Sequence, residues 1–483
     1  MPESAKPHII YILSDEHRGQ AMSHAGDPNV RTPVMDRLAA EGASFTRAYA
    51  NCPICTPSRG MIFSGRHAHA CPVPGFFDGW KIGAPSTATV LREADYHTAY
   101  MGKWHCGTVH DQAPAVVNEH RDEFGGQPHR TPECRRAGFQ DWYGFEVVNS
   151  HYKTHIYHNE DVEPTRLEGY QTDALTDLAI DYLKQYDRDQ PLFLVLSIEP
   201  PHFPIEAPDA YERFDPDALE VRPNFIGGEG MRKTLATYYA MIENLDDNIG
   251  RLRDAIDADP RFSGGKTLTT YFSDHGEFLG SHGQVKRKMH PHEESVRIPA
   301  IFHRPGHIPA TGLLPPERGL FSILDMMATT LGLAGVEIPV WNQGTDFSPL
   351  LRGEAFTGPQ EVFLEMCANP RWNMDFLDWR GFVNQRTKYA FYETGVEMLF
   401  DLEDDPYEMN NLVESQPERA AEARQRVLRM LDETRDPYFD VIISHGVGTV
   451  PGKNVSFYNH QSKAYPPGCL TLVPQADQLR QWP

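Results

Sequence analysis

The chain has 483 residues, 40% of them hydrophobic and 23% charged, with a formal net charge of -22. This is the composition of a globular protein too long for one growing core, and it excludes a disordered chain. The acidic balance excludes a binder of nucleic-acid backbones, which demand basic surface, yet it permits a local basic pocket for a small anion.

The first apolar run, Ile9–Leu13, is too short for a signal-peptide core. No stretch is long and apolar enough to cross a bilayer, so no membrane partner and a cytoplasmic location are expected. Seven scattered cysteines do not form a disulfide framework.

Short apolar runs at Ile9–Leu13, Thr98–Met101, Leu192–Ile198, Leu268–Phe272 and Pro299–Phe302 read as strands buried on both faces, as in a parallel sheet. Helical patterns lie between them. Thr32 is a candidate N-cap, Pro33 a first helical residue and Gly42 a stop. Further helices are predicted from Thr172 to about Tyr186 and from about Leu235 to Ile256. Strand and helix in alternation define an α/β/α sandwich with a mostly parallel central sheet. The pattern changes after Arg352-Gly353. Strand-like pieces at Phe382, Tyr389–Glu393 and Met398–Leu402 precede a helix from Pro417 to Glu433, giving a smaller C-terminal α+β domain. The expected division is therefore 1–360, 361–437, and an extended arm at 438–483 that covers the surface or joins a homo-oligomer.

Ligands of parallel sheets bind beyond the carboxyl ends of the strands. Four of the predicted strands run on into Ser14-Asp15-Glu16, Gly102-Lys103-Trp104-His105, Glu199-Pro200-Pro201-His202 and Ser273-Asp274-His275. Carboxylates, imidazoles and a lysine thus converge on one edge. Asp15, Glu16, Asp274 and His275 form a hard donor set suited to Ca²⁺, Mg²⁺ or Mn²⁺; alternatively, Asp15 or Glu16 caps a turn.

In Asn51-Cys52-Pro53-Ile54-Cys55-Thr56-Pro57-Ser58-Arg59-Gly60, Thr56 can cap and Pro57 can open a helix that Gly65 ends. Cys55 would then lie just before the helix, in a field that favours a thiolate or an anion. Half a zinc site and an inert buried thiol are the competing readings.

Cys55-Thr56-Pro57-Ser58-Arg59 resembles the Cys-x-Pro-x-Arg signature of formylglycine-dependent sulfatases, within the alkaline phosphatase superfamily. Gly102-Lys103-Trp104-His105 resembles that family's second signature. Pro201-His202-Phe203-Pro204, Ser273-Asp274-His275-Gly276, Lys288 with Glu293-Glu294-Ser295, and Asp401-Leu402 through Asn411-Leu412 come in the family's order. The likeness covers roughly residues 7 to 430.

The resemblance implies that a separate maturation enzyme oxidises Cys55 to formylglycine, whose hydrate attacks the sulfur of a small anionic ester. It implies one divalent metal, Ca²⁺ first and Mn²⁺ second, held by Asp15, Asp274, His275 and the modified Cys55. Glu16 takes the place of a second aspartate. Arg59 would orient the hydrate, and His105 would deprotonate it for sulfate release. Lys103 and Lys288 would hold sulfate oxygens, and His202, with Lys288, would protonate the leaving oxygen. His275 stands where the phosphonate monoester hydrolase branch has histidine. A phosphonate monoester or phosphodiester hydrolase is therefore the rival enzyme, and a binding module with unmodified Cys55 the rival outside catalysis. The segment from His110 to His158 is expected to shape the pocket mouth, and His67, His69, His290 and His292 read as surface residues.

Overall fold

A computed structural model of the chain describes residues 6–75, 78–107, 130–146, 150–283, 288–367 and 378–438. Beyond Tyr438 the expected C-terminal arm lies outside the described residues, as do residues 110–129 and 147–149 of the segment expected at the pocket mouth.

The strand His8–Ser14 alternates along its length. Ile9, Tyr11 and Leu13 enter one core, and Ile10 and Ile12 enter the other. Both faces are covered, which is why the run reads as continuously apolar. Among the described residues the central sheet has ten strands. Its middle is parallel: Thr267–Ser273, His8–Ser14, Leu192–Ile198, His97–Lys103 and Asp141–Phe145, in that spatial order. On one face lie the helices Pro33–Glu41, Gln171–Gln185 and Glu229–Ala258, whose Leu38, Leu175 and Leu245 meet Ile10 and Ile12. On the other lie Cys55–Ser64, Thr87–Glu93 and Met326–Ala334, through Phe63, Leu91 and Met327.

Two expectations need correction. The run at Pro299–Phe302 forms the strand Ala300–His303, but antiparallel to Thr267–Ser273. In the described part of the intervening segment the only helix is the four-residue Glu293–Val296, so no long crossover carries the chain back to the far edge before it re-enters. Thr32 precedes its helix without a side-chain cap bond. Asp246 of the long helix does that work from across the core, accepting from Val34 N at 2.9 Å and Met35 N at 2.8 Å. Part of the segment expected at the pocket mouth also forms two strands of the central sheet that the apolar runs did not reveal, Asp141–Phe145 and His155–His158.

The C-terminal sheet is an antiparallel meander of Glu361–Met366, Trp379–Asn384, Thr387–Tyr392 and Glu397–Asp401. Val362, Leu364 and Met366 face the main core, while Phe363 and Phe391 face the helix Pro417–Thr434. The fold is thus a large, mostly parallel α/β unit with a small antiparallel sheet applied to it.

Candidate active site

Strand register assembles the site. Ser14 is paired with Ile198 on one side and Ser273 on the other, and Gly102 with Ser197. The next residues out, Asp15, Glu199, Asp274 and Lys103, therefore emerge together at the carboxyl edge, and all four are fully buried.

The helix Cys55–Ser64 approaches that edge end-on. All ten of its residues are buried, so no side of it faces solvent and its polar side chains are turned to partners inside the protein. It begins two residues earlier than expected, with Cys55 as its first residue and Ile54, not Thr56, at the cap position; Gly65 ends it in the left-handed conformation. Ser58 Oγ donates to the Asp274 carbonyl at 2.5 Å. Arg59 then spans the site. Its Nε donates to Asp274 Oδ2 at 2.9 Å and Nη2 to Asp15 Oδ2 at 3.2 Å. Its Nη1 donates to the Lys103 carbonyl at 2.8 Å and to Ser197 Oγ at 2.9 Å.

Cys55 Sγ marks the nucleophile position. It lies 3.2 Å from His275 Nε2, 3.3 Å from Lys288 Nζ and 3.6 Å from Asp15 Oδ1. Burial, with Asp15 adding to it, pushes the thiol up to about 12. The helix start does not make a thiolate here, because desolvation outweighs its field.

Ligand atoms of Asp15, Cys55, Asp274 and His275 lie within 4.8 Å of one another. His275 Nδ1 donates to the Gly276 carbonyl at 3.0 Å, which leaves the Nε2 lone pair facing the group. Two carboxylates, an oriented imidazole and position 55 in a closed space fit a hard divalent ion. Glu16 adjoins this group through Asp15, with which it and His202 form a second set of ligand atoms within 4.8 Å of one another. Its backbone, at φ 66°, is held by Tyr238 Oη on its carbonyl at 2.7 Å. Its carboxylate turns to His202 Nε2, at 3.2 Å, and to Lys288 Nζ. Burial lifts Glu16 to about 7 against the pull of Lys288.

Lys103 Nζ sits between Asp15 Oδ2 at 2.8 Å and Glu199 Oε1 at 3.0 Å. Burial opposes its charge, but these two carboxylates outweigh it and raise the ammonium. Burial likewise works to raise Asp15, yet Lys103, His202, Lys288 and Arg59 together hold it well below the usual carboxylate range. His105 is buried two residues past the strand, at φ 55°. His202 is the partly open member, its side chain 15% exposed beside Lys288 at 14%. Burial and the two lysines lower it well below the ordinary imidazole value.

The structure therefore brings Asp15, Glu16, Cys55, Arg59, Lys103, His202, Asp274, His275 and Lys288 to one edge. Glu199 and its holder Gln171 were missed as site residues, although Glu199 directly follows a predicted strand. Of the histidines read as surface residues, His67, His69 and His292 are buried and His290 is half-buried. Cys52 belongs to the apolar core and Cys55 to the polar site, and among the described residues no group of clustered ligand atoms contains both.

A buried nucleophile position, a hard donor group and flanking cations at a sheet edge are what a hydrolase of anionic esters requires. The sequence profile of the sulfatase family matches residues 7–336, and that of the N-sulphoglucosamine sulphohydrolase C-terminal region matches 280–436. The chain belongs to the sulfatase family, enzymes that hydrolyse sulfuric esters, in the alkaline phosphatase superfamily. It is 32% identical over 422 residues to the ulvan-active sulfatase of Formosa agariphila, covering 85% of this chain and 78% of that one. It is 28% identical to the endo-4-O-sulfatase of Bacteroides thetaiotaomicron, covering 90% and 94%. The YidJ structure from Bacteroides fragilis superposes with a TM-score of 0.81 at 27% identity, over 92% of this chain and 99% of that one. The phosphonate monoester hydrolase of Agrobacterium radiobacter shares the fold, with a TM-score of 0.69 at 20% identity over 89% and 96%.

Proposed function

We propose that this protein hydrolyses sulfate monoesters, as an arylsulfatase-type enzyme, through formylglycine made from Cys55 and with one divalent ion, Ca²⁺ before Mn²⁺. The observation that carries this is Cys55 Sγ within 3.6 Å of Asp15, His275 and Lys288, in a site otherwise built for charge. Sγ stands for the oxygens of the hydrated aldehyde. A thiol held near 12 is a poor nucleophile at neutral pH, and a hydrate does not share that handicap.

Asp15, Asp274, His275 and position 55 would hold the ion, which supplies Lewis-acid charge to the nucleophile and the sulfate. The chain's residues do the rest. Arg59 fixes both aspartates and the strand end that carries Lys103. Lys103 and Lys288 meet the non-bridging sulfate oxygens, where charge gathers in the transition state; one such donor is worth about 10²–10³ in rate. As the new S–O bond forms at position 55, the ester S–O bond breaks and the leaving oxygen needs a proton. His202 Nδ1 donates to the Phe203 carbonyl at 2.6 Å, so its Nε2 and Glu16 Oε1 share the remaining proton. His202 presents that proton at the mouth. His105 takes the proton of the second hydroxyl, the C=O bond reforms, sulfate departs, and water restores the hydrate.

A phosphonate monoester hydrolase is the second reading, supported by the Asp274-His275 pair. Sulfate monoesters and phosphonate monoesters carry the same single charge, so kcat/KM for an aryl sulfate against an aryl phenylphosphonate decides between them. A large preference for the phosphonate would overturn our ranking. Mass spectrometry of the Ala48–Arg59 peptide, from protein made beside a competent maturation enzyme, tests the nucleophile; thiol alone would favour the binding module.

A further inference from the structure

We propose that Glu199 is a positioning residue that acts through Lys103, setting the balance between the site's affinity for a divalent cation and its affinity for sulfate. This rests on the reading of the site given under Proposed function.

Glu199 is fully buried. Its Oε1 accepts from Lys103 Nζ at 3.0 Å and lies 3.9 Å from His202 Nδ1. It is gripped from behind at two points. The backbone N of Glu199 donates to Gln171 Oε1 at 3.0 Å, and Gln171 Nε2 donates to Glu199 Oε2 at 3.3 Å. Gln171 is the buried first residue of its helix and is itself tied to Thr154 Oγ1 at 3.0 Å. The carboxylate therefore has one free task, which is to face Lys103.

The other side of Lys103 shows why that matters. Asp15 Oδ2 serves Lys103 at 2.8 Å and Arg59 at 3.2 Å, while Asp15 Oδ1 faces Cys55 and His275, where an ion would sit. One aspartate is thus shared between two cationic side chains and the ion. Glu199 gives Lys103 a counter-ion of its own and leaves Asp15 available. Removing the Glu199 charge makes the ammonium rely on Asp15 alone and makes the pocket one charge more positive. Cation binding weakens and anion binding tightens, because the same charge enters the two with opposite signs. For a full charge this close and this buried, each effect is roughly tenfold. A general loss of structure would weaken both.

The test uses full-length protein: wild type, Glu199→Gln, Lys103→Met, and the double variant. Ca²⁺ affinity is read by competition with a chelating dye, and inorganic sulfate affinity by calorimetry at saturating Ca²⁺. In Glu199→Gln we expect Ca²⁺ binding about tenfold weaker and sulfate binding several-fold tighter, by the charge argument above. The double variant, which deletes a neutral pair, should return Ca²⁺ affinity to within about threefold of wild type. If Glu199→Gln does not fold, Lys103→Met should still bind Ca²⁺ about tenfold more tightly than the double variant. Equal Ca²⁺ affinities in either comparison, or Ca²⁺ and sulfate affinities that fall together, would overturn the inference. Wild-type protein that binds neither Ca²⁺ nor Mn²⁺ would overturn the site reading beneath it as well; wild-type binding with an unmoved Glu199→Gln overturns this inference alone.

Discussion

Arg59 makes four hydrogen bonds inside the site while fully buried, two of them to the carboxylates of Asp15 and Asp274. Taking it away leaves both anions in low dielectric without their fixed partner. Arg59→Ala should therefore cost about 3–5 kcal/mol of folding stability, measured by urea unfolding in chelator so that metal loss does not contribute. A change under about 1 kcal/mol, the range of an exposed ion pair, would show that these carboxylates are solvated or neutral. Cys55→Ser asks about chemistry at the same spot. A serine hydroxyl can accept the sulfuryl group, losing its proton, but the serine carbon bears no second hydroxyl from which a carbonyl can reform. We expect a stoichiometric sulfated protein and near-zero turnover; sustained turnover would remove the formylglycine mechanism. Asp15, Lys103, Asp274 and the Cys55–Arg59 segment were legible because each ends a strand or opens a helix. Glu199 was less so, since its partner Lys103 lies 96 positions away and no spacing encodes the pair. Glu16 was legible as a departure, and its carboxylate meets His202 and Lys288 while remaining clustered with Asp15.

At the scale of elements, the apolar runs and their Gly and Pro punctuation were enough to find four of the five central parallel strands, because strands buried on both faces leave a continuous apolar pattern; Asp141–Phe145, only partly buried on one face, leaves none. What they did not encode is direction, as Ala300–His303 shows, or who caps whom, as Asp246 shows for the helix at Pro33. Gly102 is where sheet geometry and site geometry meet. It pairs with Ser197 at the end of its strand, its φ is 98°, and a Cβ there would fall 1.9 Å from the Ser197 carbonyl oxygen. Backbone cannot give way as a flexible side chain does. Gly102→Ala should separate the two central strands locally and displace Lys103, the next residue, from Asp15 and Glu199. We expect a loss of at least about 3 kcal/mol, or insoluble protein, and in any folded fraction a larger fall in activity than in helix content by circular dichroism. A variant of wild-type stability and wild-type kcat/KM would mean that this strand end is not held as described.

For the molecule as a whole, the question is what fastens the C-terminal sheet and helix to the α/β unit. Apolar faces supply much of it, but beside them lies a buried charged knot whose histidine reads from the sequence as a surface residue. His69, 3% exposed, donates from Nδ1 to Glu365 Oε2 at 2.8 Å and from Nε2 to the Thr434 carbonyl at 3.2 Å. Glu365 is on the first C-terminal strand and Thr434 ends the last helix, while Asp436, 3.6 Å from Nδ1, is paired with Arg380. Both ring nitrogens meet acceptors, so the imidazole is a cation. Burial opposes that charge, but Glu365 and Asp436 outweigh it and raise His69 from 6.5 to about 9. The partners lie 296 and 365 residues away, which is why no local pattern revealed them. A group bound more tightly in its protonated form stabilises the fold fully below its unfolded value and loses that contribution as pH climbs through its folded value. The stabilisation is thus complete below 6.5 and disappears through about 9. Its neighbour His67 is pulled down by burial to about 4 and stays neutral across that window. His69→Gln keeps a donor for Glu365 but cannot titrate. The stability gap between wild type and this variant, from denaturant unfolding, should narrow by on the order of 3 kcal/mol between those two pH values. Subtracting the variant cancels every titration the two proteins share, so parallel pH curves would show that His69 is neutral and that its charge does not help to fasten the C-terminal unit.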